Sequence, residues 1–400
     1  MKVDRTQFMQ DGFIILRNVV PPGDLERVRS AVEHMVERRR EISQQQRLPG
    51  RDHGDWSASA QPRLRFDADC DAESAAALEF LLGATTLGVA RQLIDAEEVA
   101  LHYMACICSS DTQDAGPARW HRDIGAGTPA PLPGMIANME RHGPSYLQWN
   151  IALYEDSVFW IVPQSHKRIN SAAENRQLAD DPSAPLPGGT PVELGPGDGV
   201  VYTHLLLHWG SNYTRKLRRT IHPGFRPFNF AAMPNVHWRH WEPGFFHYLS
   251  PPARRQFEAW DQRFFAEIDR YAEIFRTIID GEAAAFQTAF EQVHPSPNER
   301  LVTLAMLNQL ALRLGASKRG EAASPCFNER DDAYMDGLFT APQSETLQRR
   351  FAALDERMRQ PEARQQGSFQ GGPSPYLSAD MPTDFSMEDF IASWKDDEPN

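Results

Sequence analysis

Residues 191–209, PVELGPGDGVVYTHLLLHW, contain the strand signal that decides the fold. GPGDGV (195–200) is typical of a tight turn, and the apolar run after it predicts a strand. Similar short runs recur from about residue 98: VALHYMACICS, SYLQWNIALYE, FWIVPQSH and RRTIHPGFRPF. Because Gly, Pro, Asn and Asp separate them and few helical patterns interrupt, we expect a mainly β, antiparallel core, either a sandwich or a jelly roll.

Helical patterns lie on both sides of this β region. DGFIILRNVV (11–20) predicts one strand, and a helix with Asp24 as its N-cap follows it. A second helical region is predicted over about 72–94, and residues 41–70 are expected to form a loop. Downstream, aromatic and apolar residues recur at helical spacing between Phe257 and Ile278, and leucines mark another helix between Leu301 and Leu314.

These patterns divide the chain into four parts. We expect an N-terminal strand and helices over 1–97 that pack on the core, and a jelly-roll core over 98–250 that carries the site. A helical extension over 251–316 and a polar, loosely structured tail over 317–400 complete the prediction.

Composition excludes some classes of function. Lys and Arg number 41 against 54 Asp and Glu, which gives a formal net charge of −13 and does not favour a nucleic-acid surface. The four cysteines match no zinc or disulfide framework, and Cys106 and Cys108 are expected to be reduced strand residues. We find neither a signal-peptide core nor a run of about 18 apolar residues, so we expect a cytoplasmic protein without a membrane partner.

A histidine and an aspartate two residues apart, in PARWHRDIG (117–125), suggest metal chemistry. In an extended strand, His121 and Asp123 point to the same face. His208, at the end of an apolar strand, is the best candidate for a third ligand. Two histidines and one carboxylate on one side of a metal leave adjacent positions open, which suits non-heme iron(II) that binds a co-substrate and dioxygen.

Arg218 and Thr220 alternate to one face of the strand that follows His208. Arginine offers a planar fork to a carboxylate, and the threonine hydroxyl adds a donor. This pair predicts a site for a dicarboxylic co-substrate such as 2-oxoglutarate, whose keto-acid end would chelate the iron.

Six stretches occur in an order and spacing typical of one known family: FMQDGFIILRNVVPPGDLERVR, WHRD, YLQWNIALYED, IVPQSHKRIN, GPGDGVVYTHLLLHWGSN and RKLRRT. On these stretches, over about residues 5–230, the chain resembles the phytanoyl-CoA dioxygenase family of Fe(II)/2-oxoglutarate-dependent oxygenases. The resemblance implies a double-stranded β-helix (jelly-roll) core. It also implies iron on His121, Asp123 and His208, the far carboxylate of 2-oxoglutarate on Arg218, and an aromatic residue, Trp149, beside the co-substrate.

The implied reaction oxidises an unactivated C–H bond of a small organic substrate, with release of succinate and carbon dioxide. A carboxylate at Asp123 favours hydroxylation over halogenation, because related halogenases have a small non-ligating residue there. Two departures from the family pattern stand out: the usual PGSH turn reads PQSH at 163–166, and Trp209 replaces a small residue after the distal histidine. Both could reshape the pocket, so the substrate is not carried over; a natural-product or amino-acid-derived intermediate is our preference.

Alternatives remain open at several positions. His204 is the rival of His208 as third ligand, and Arg219 is the rival of Arg218. His102 either lines the 2-oxoglutarate pocket or is a hydrogen-bonded core residue. His166 is interpreted as structural, and the histidine- and aromatic-rich segment 236–248 is interpreted as packing or pocket wall rather than a second metal site.

Two other function classes also remain. One is a cupin-type metalloenzyme that does not use 2-oxoglutarate, and the other is a non-catalytic binding protein whose helical C-terminal part contacts a partner. The sequence does not determine the oligomeric state, although the aromatic helix at 257–278 could serve as a dimer surface.

Overall fold

The computed structural model describes residues 1–46, 62–109, 117–124, 131–211, 216–228, 238–293, 300–321, 328–358 and 382–394. The chain divides into two compact units. Unit 1 comprises Met1–Asp123, Tyr146–Pro227 and Trp241–Asp261; unit 2 comprises Ile124–Ser145, Phe228–His240 and Gln262–Asn400. None of the helices in the described ranges combines the length and the apolar character needed to cross a membrane.

In the described ranges, nine strands form two antiparallel sheets, both in unit 1. In chain order they are β1 (Phe13–Leu16), β2 (Arg63–Arg65), β3 (Val99–Cys108), β4 (Leu147–Ala152), β5 (Phe159–Ile161), β6 (Thr190–Pro191), β7 (Gly199–Thr203), β8 (His208–Gly210) and β9 (Arg219–Pro227). The larger sheet has the order β1-β7-β4-β9-β3-β2, and the smaller has the order β6-β5-β8. The antiparallel β core with flanking helices is therefore confirmed.

Thirteen α-helices accompany the strands in the described residues. They are α1 (Arg5–Asp11), α2 (Leu25–Gln46), α3 (Phe66–Asp69), α4 (Ala75–Phe80), α5 (Leu87–Ile94), α6 (Leu132–His142), α7 (Ala172–Asp180), α8 (Pro251–Asp280), α9 (Ala283–Val293), α10 (Arg300–Lys318), α11 (Glu329–Gly337), α12 (Ala341–Met358) and α13 (Met387–Ala392). Two 3-10 helices cover Ser165–Lys167 and Pro243–Tyr248.

The two sheets share one apolar cluster. Val200 and Tyr202 of β7 pack with Phe159 and Ile161 of the smaller sheet, and Ala152 completes this layer. We call the face of the larger sheet that carries Val200 and Tyr202 the inner face. Because side chains alternate along a strand, the register then assigns the residues of the larger sheet to the inner or the opposite, outer face, except at the irregularity between Leu101 and Tyr103 of β3.

The predicted turn before β7 is confirmed. Gly197 has φ +87°, a left-handed conformation that favours glycine. The Asp198 carboxylate accepts hydrogen bonds from the backbone N–H of Gly195 at 2.9 Å and of Asn18 at 3.0 Å. These bonds fix the position at which β7 begins. They therefore also decide which residues of β7 point to each face of the sheet.

The N-terminal part differs from the prediction in detail. The predicted strand within 11–20 is β1, and the helical region at 72–94 is two helices, α4 and α5. The expected loop over 41–70 is wrong where it is described: α2 continues to Gln46, and β2 and α3 follow from residue 63. Glutamine and arginine are good helix formers, so a polar stretch can extend a helix. Residues 47–61 lie outside the described ranges.

The boundary expected at residue 250 is not where unit 1 ends. Trp241 and Phe245 pack edge-to-face against Phe257 of α8, with ring centroids 5.6 and 4.9 Å apart. The Trp241 indole N–H also donates to the Leu101 carbonyl at 2.8 Å. Trp241 and Phe245 thus contribute packing, as expected for the segment 236–248, whose first two residues lie outside the described ranges.

A loosely structured tail over 317–400 is wrong for the described residues 328–358 and 382–394. In α12, Leu347, Phe351, Leu354 and Met358 are buried at helical spacing, and Phe390 of α13 lies 5.0 Å from Phe351 between ring centroids. This apolar stripe is narrow, and the residues between its members include Arg, Gln and Glu. The region is therefore polar on average, and the helix was not predicted from the sequence. Unit 2 also buries the Arg239–Asp331 ion pair, with Nη2 2.6 Å from Oδ1.

Candidate metal centre

The backbone brings His121, Asp123 and His208 together. His121 and His208 form an antiparallel bridge, in which each N–H donates to the other residue's carbonyl at 3.0 and 2.9 Å. The N–H of Asp123 donates to the carbonyl of His204 at 3.0 Å. Residues 121–123 therefore run beside His204 and β8, and the side chains of His121 and Asp123 meet that of His208.

The three side chains converge on one point. His208 Nε2 lies 3.1 Å from Asp123 Oδ2, and His121 Nε2 lies 3.4 Å from Asp123 Oδ1. One ligand atom from each residue lies within 4.8 Å of the others, and within the described residues this is the sole such cluster of His, Cys, Asp or Glu. Adjacent ligands about 2.1 Å from an octahedral metal ion lie about 3 Å apart, so the cluster fits such an ion.

Hydrogen bonds fix the tautomer of both histidines. His121 Nδ1 lies 2.7 Å from the Arg119 carbonyl, and His208 Nδ1 lies 2.8 Å from the Leu206 carbonyl. A carbonyl oxygen can only accept, so each Nδ1 carries the proton. In the neutral imidazole this leaves the Nε2 lone pair directed at the cluster, as in metal sites whose histidines are oriented by a backbone carbonyl.

Asp123 is ionised in this environment. Burial acts to raise the pKa of its carboxyl, but the adjacent His208 and His121 outweigh burial and hold the pKa well below its usual value. The cluster thus offers two imidazole nitrogens and one carboxylate. His204, the rival of His208, contributes only its carbonyl to the backbone of this cluster.

Arg122 anchors the segment His121–Asp123 on the side opposite to the cluster, and this role was not predicted from the sequence. Arg122 Nη1 donates to the Ser165 carbonyl at 2.8 Å and also to the Leu205 carbonyl. Its Nη2 donates to Asn170 Oδ1 at 2.9 Å. Arg122 lies between His121 and Asp123 and points away from them, as strand alternation requires. The signal in the sequence was the charged residue at the middle position of the HRD stretch.

Two aromatic rings cover the His208 imidazole. The Tyr202 ring lies 5.1 Å from it and the Phe159 ring 5.5 Å, between centroids. Tyr202 belongs to the inner face of the larger sheet and Phe159 to the smaller sheet. The cluster is therefore attached to the layer between the two sheets.

Arg218 and Thr220 both contact a buried carboxylate, Asp156. Arg218 Nε lies 2.8 Å from Asp156 Oδ2, and the Thr220 hydroxyl lies 2.5 Å from the same oxygen. Burial acts to raise the pKa of Asp156, but the charge of Arg218 and these hydrogen bonds outweigh it, so the pKa lies below its usual value. Burial, and then the charge of Asp123, raises the pKa of Tyr202 well above its usual value, and the charge of Arg218 acts against this rise.

Arg219 points to the other face. Its Nε lies 3.1 Å from Glu33 Oε1 of α2, and its Nη1 donates to the Arg218 carbonyl at 2.9 Å. Strand alternation predicted this separation of the two arginines.

Trp149 does not reach the inner face, contrary to the expectation. It pairs with Val201 in the register of β4 and β7, whereas its neighbours Gln148 and Asn150 pair with Tyr202 and Val200. Trp149 therefore lies on the outer face. Asn150 occupies the inner face instead, and its Oδ1 lies 2.8 Å from His222 Nδ1.

A wall of uncharged polar groups continues along the inner face. The Tyr146 ring lies 5.3 Å from the His102 ring and 5.9 Å from the His204 ring. Burial, and then the charge of Asp123, raises the pKa of Tyr146 well above its usual value. Gln148 is buried, and its side-chain oxygen has no hydrogen-bond partner among the described residues. His102 thus packs beside this wall, at the irregularity between Leu101 and Tyr103 of β3.

The two departures from the family pattern lie outside the cluster. Trp209 stacks on Trp120 with ring centroids 5.3 Å apart, in an apolar group separate from the inner face. Gln164 adopts φ +63° before the 3-10 helix that contains His166. His166 is buried and its Nε2 lies 3.2 Å from the Met9 carbonyl, which agrees with a structural role.

The model of the phytanoyl-CoA dioxygenase family matches residues 8–220. No curated protein matches the chain. Similar solved structures include AviO1 from Streptomyces viridochromogenes Tue57, with 21% identity, 57% of this chain and 97% of that chain covered, and a TM-score of 0.40.

Two further structures were determined with ligands. HygX from Streptomyces hygroscopicus, with nickel and 2-oxoglutarate bound, shows 17% identity, covers 57% of this chain and 89% of its own, and has a TM-score of 0.39. EctD from S. alaskensis, with 2-oxoglutarate and 5-hydroxyectoine, shows 16% identity, covers 62% of this chain and 80% of its own, and has a TM-score of 0.39.

Proposed function

The chain belongs to the phytanoyl-CoA dioxygenase family, and from that premise we propose that it is a non-heme iron oxygenase which uses 2-oxoglutarate and dioxygen. The observation that carries the proposal is the His121–Asp123–His208 cluster, with both Nδ1 protons donated to backbone carbonyls. When bound, iron(II) would supply the oxidising chemistry, with succinate and carbon dioxide as products of the co-substrate. We further propose that the two sheets close as a double-stranded β-helix.

The chain's own residues would hold the reactants. His121, Asp123 and His208 would bind the metal on one side and leave its other side to the co-substrate and dioxygen. Arg218, which shares Asp156 with the inner-face residue Thr220, would receive the far carboxylate of 2-oxoglutarate. Phe159 and Tyr202 exclude water from the His208 side of the cluster, because their rings cover the imidazole.

Asp123 bears on the type of reaction. Its carboxylate lies within 3.4 Å of both imidazoles and would take a coordination position that halide needs in related halogenases. We therefore propose hydroxylation of an unactivated C–H bond as the reaction.

The substrate that we propose is small and polar. Gln148, Tyr146 and His204 present neutral hydrogen-bonding groups next to the cluster, and a buried amide oxygen without a partner costs about 1–3 kcal/mol. A substrate with hydroxyl or amide groups would satisfy these positions, whereas a long acyl chain would not. An intermediate of a natural product or a modified amino acid fits this description.

The decisive experiment is anaerobic loading with Fe(II) and 2-oxoglutarate, monitored by the visible metal-to-ligand absorption band. We expect a band for the wild type and none for His121→Ala, followed in air by succinate release that only the wild type supports. Circular dichroism of both proteins checks that the substitution leaves the fold intact.

A wild-type chain that binds iron but develops no band would overturn the use of 2-oxoglutarate and favour a cupin-type metalloenzyme. A folded wild type that binds no iron would instead favour a non-catalytic binding protein. The two outcomes differ in iron content, which metal analysis of the same sample measures.

A further inference from the structure

The carboxylate of Asp156 is held at both oxygens. Oδ1 accepts the backbone N–H of Val158 at 2.9 Å, and Oδ2 accepts from Thr220 at 2.5 Å and from Arg218 Nε at 2.8 Å. The backbone of Asp156 is fixed as well, because it exchanges two hydrogen bonds with Leu194, at 3.0 and 2.9 Å. A buried carboxylate with this many donors is a rigid support rather than a mobile counter-ion.

The single hydroxyl hydrogen of Thr220 is donated in a hydrogen bond to Asp156. An ionised carboxylate only accepts, so at 2.5 Å the threonine hydroxyl must be the donor. Thr220 therefore has no hydrogen left for the co-substrate. Its place on the inner face, opposite Ala152 and Ile107, serves Asp156 instead of a ligand.

Arg218 is held by one edge only. Its Nε donates to Asp156, while its backbone N–H donates to Ser109 Oγ at 3.1 Å and its carbonyl accepts from the Ser109 N–H at 3.1 Å. Neither Nη nitrogen has a hydrogen-bond partner in the part of the chain that the structure describes. The two Nη groups together form the second edge of the guanidinium fork, which matches the two oxygens of a carboxylate.

We propose that Thr220 and Asp156 are positioning residues for the carboxylate clamp. Thr220 holds Asp156, Asp156 holds the Nε edge of Arg218, and the Nη edge is thereby presented to the far carboxylate of 2-oxoglutarate. This inference rests on the proposed function. It adds Asp156, which neither motif nor spacing had assigned, as the residue that orients Arg218. It also replaces the expected direct contact of Thr220 with the co-substrate by an indirect role.

The test is a titration of 2-oxoglutarate into the anaerobic Fe(II) protein, with the dissociation constant read from the absorption band. Five full-length proteins are compared: the wild type, Thr220→Val, Thr220→Ser, Asp156→Ala and the double variant Asp156→Ala/Thr220→Val. Iron affinity is measured separately for each of them. Valine matches the shape of threonine without the hydroxyl, and serine restores the hydroxyl.

We expect Thr220→Val to weaken 2-oxoglutarate binding about three- to tenfold, and Asp156→Ala by about tenfold or more, because each removes a hydrogen bond that orients the fork. Thr220→Ser should stay within about twofold of the wild type. The double variant should bind as Asp156→Ala does, since residues that act through one another give non-additive effects. Iron affinity should not change in any of these proteins.

Three results would overturn the inference. The first is that Thr220→Val binds 2-oxoglutarate as tightly as the wild type, and the second is that the two single effects add in the double variant. The third is that Asp156→Ala tightens binding, which would identify Asp156 as a competitor of the co-substrate. If Asp156→Ala does not fold, the Thr220→Val and Thr220→Ser pair decides alone. A wild type that binds iron but not 2-oxoglutarate would instead refute the proposed function, so the two failures are distinguishable.

Discussion

Neighbouring residues on the larger sheet lie on opposite faces, and the two faces hold different chemistry. The outer face carries Trp149 and Ile151 of β4, and Arg219 there is neutralised by Glu33 of α2. The inner face carries Gln148 and Asn150 one position away. A single step along the chain therefore separates a packing surface from a reactive one.

The two faces also differ in how Arg219 and Gln148 are satisfied. On the outer face, Arg219 is paired with a carboxylate on a helix. On the inner face, Gln148 keeps a buried oxygen without a partner among the described residues. An unpaired buried polar group is costly, so the Gln148 oxygen is more useful for recognition than for stability; the outer face also has such a group, the indole N–H of Trp149, which has no partner among the described residues.

The largest expected effect compares His208 with His204. His208→Ala removes an imidazole from the metal cluster, so we expect Fe(II) affinity to fall by at least about 100-fold, because loss of outer-shell partners alone costs about 10- to 100-fold. His204→Ala removes a ring that is not part of the cluster and should change Fe(II) affinity less than about threefold. Anaerobic Fe(II) titration measures both. Equal losses would contradict the assignment of His208.

The next effect compares the two arginines. Arg218→Ala removes a charge-assisted, two-pronged contact, so we expect the dissociation constant of 2-oxoglutarate to rise about 10- to 100-fold. Arg219→Ala removes the cationic partner of Glu33, which keeps only the Tyr154 hydroxyl at 3.3 Å, and should lower the free energy of unfolding by about 1–3 kcal/mol, with 2-oxoglutarate binding unchanged within about twofold. Chemical denaturation and ligand titration separate these outcomes. If Arg219→Ala weakened the co-substrate more than Arg218→Ala, the assignment of faces would be wrong.

A third comparison concerns two glycines. A Cβ on Gly224, on the inner face, would lie 1.8 Å from the Tyr146 hydroxyl oxygen, so Gly224→Ala must displace that ring. We expect a loss of about 1–3 kcal/mol in unfolding free energy, as for other overpacked positions. Gly244→Ala is the matched control, because a Cβ there meets no atom within 4 Å. Similar losses in both variants would show that Tyr146 is not seated against Gly224.

The sequence predicted most of the larger sheet and of the His121–Asp123–His208 cluster, because the signals for both are local. Period-two alternation separated Arg218 from Arg219, and HxD spacing placed two ligands on one side of a segment. The expectation for Trp149 came from the family resemblance and not from alternation along the strand. In the observed register, Asn150 and not Trp149 lies on the inner face. Asp156 was missed because its partners lie more than 60 residues away in the chain, at Arg218 and Thr220.

The helical unit was harder to predict, and the reason is physical. Its stability depends on contacts between distant segments, such as the Arg239–Asp331 ion pair and the contact of Phe390 with Phe286, 5.7 Å between ring centroids. Neither contact has a local period or motif. A polar average then hides a helix whose apolar stripe is narrow, as in α12.

The smallest expected effect lies in a turn outside both faces of the larger sheet. Gln164 has φ +63° and ψ 2°, a left-handed conformation that costs a non-glycine residue roughly 1–2 kcal/mol. Glycine adopts it without this cost but loses more entropy on folding, so Gln164→Gly should raise the free energy of unfolding by about 0.5–1 kcal/mol. Gln177→Gly, in the ordinary helix α7, should lower it by a similar amount. Denaturation midpoints test the pair, and 2-oxoglutarate affinity should be the same in both variants, because neither residue contacts the inner face; a change in that affinity for Gln164→Gly would mean that the turn positions the site.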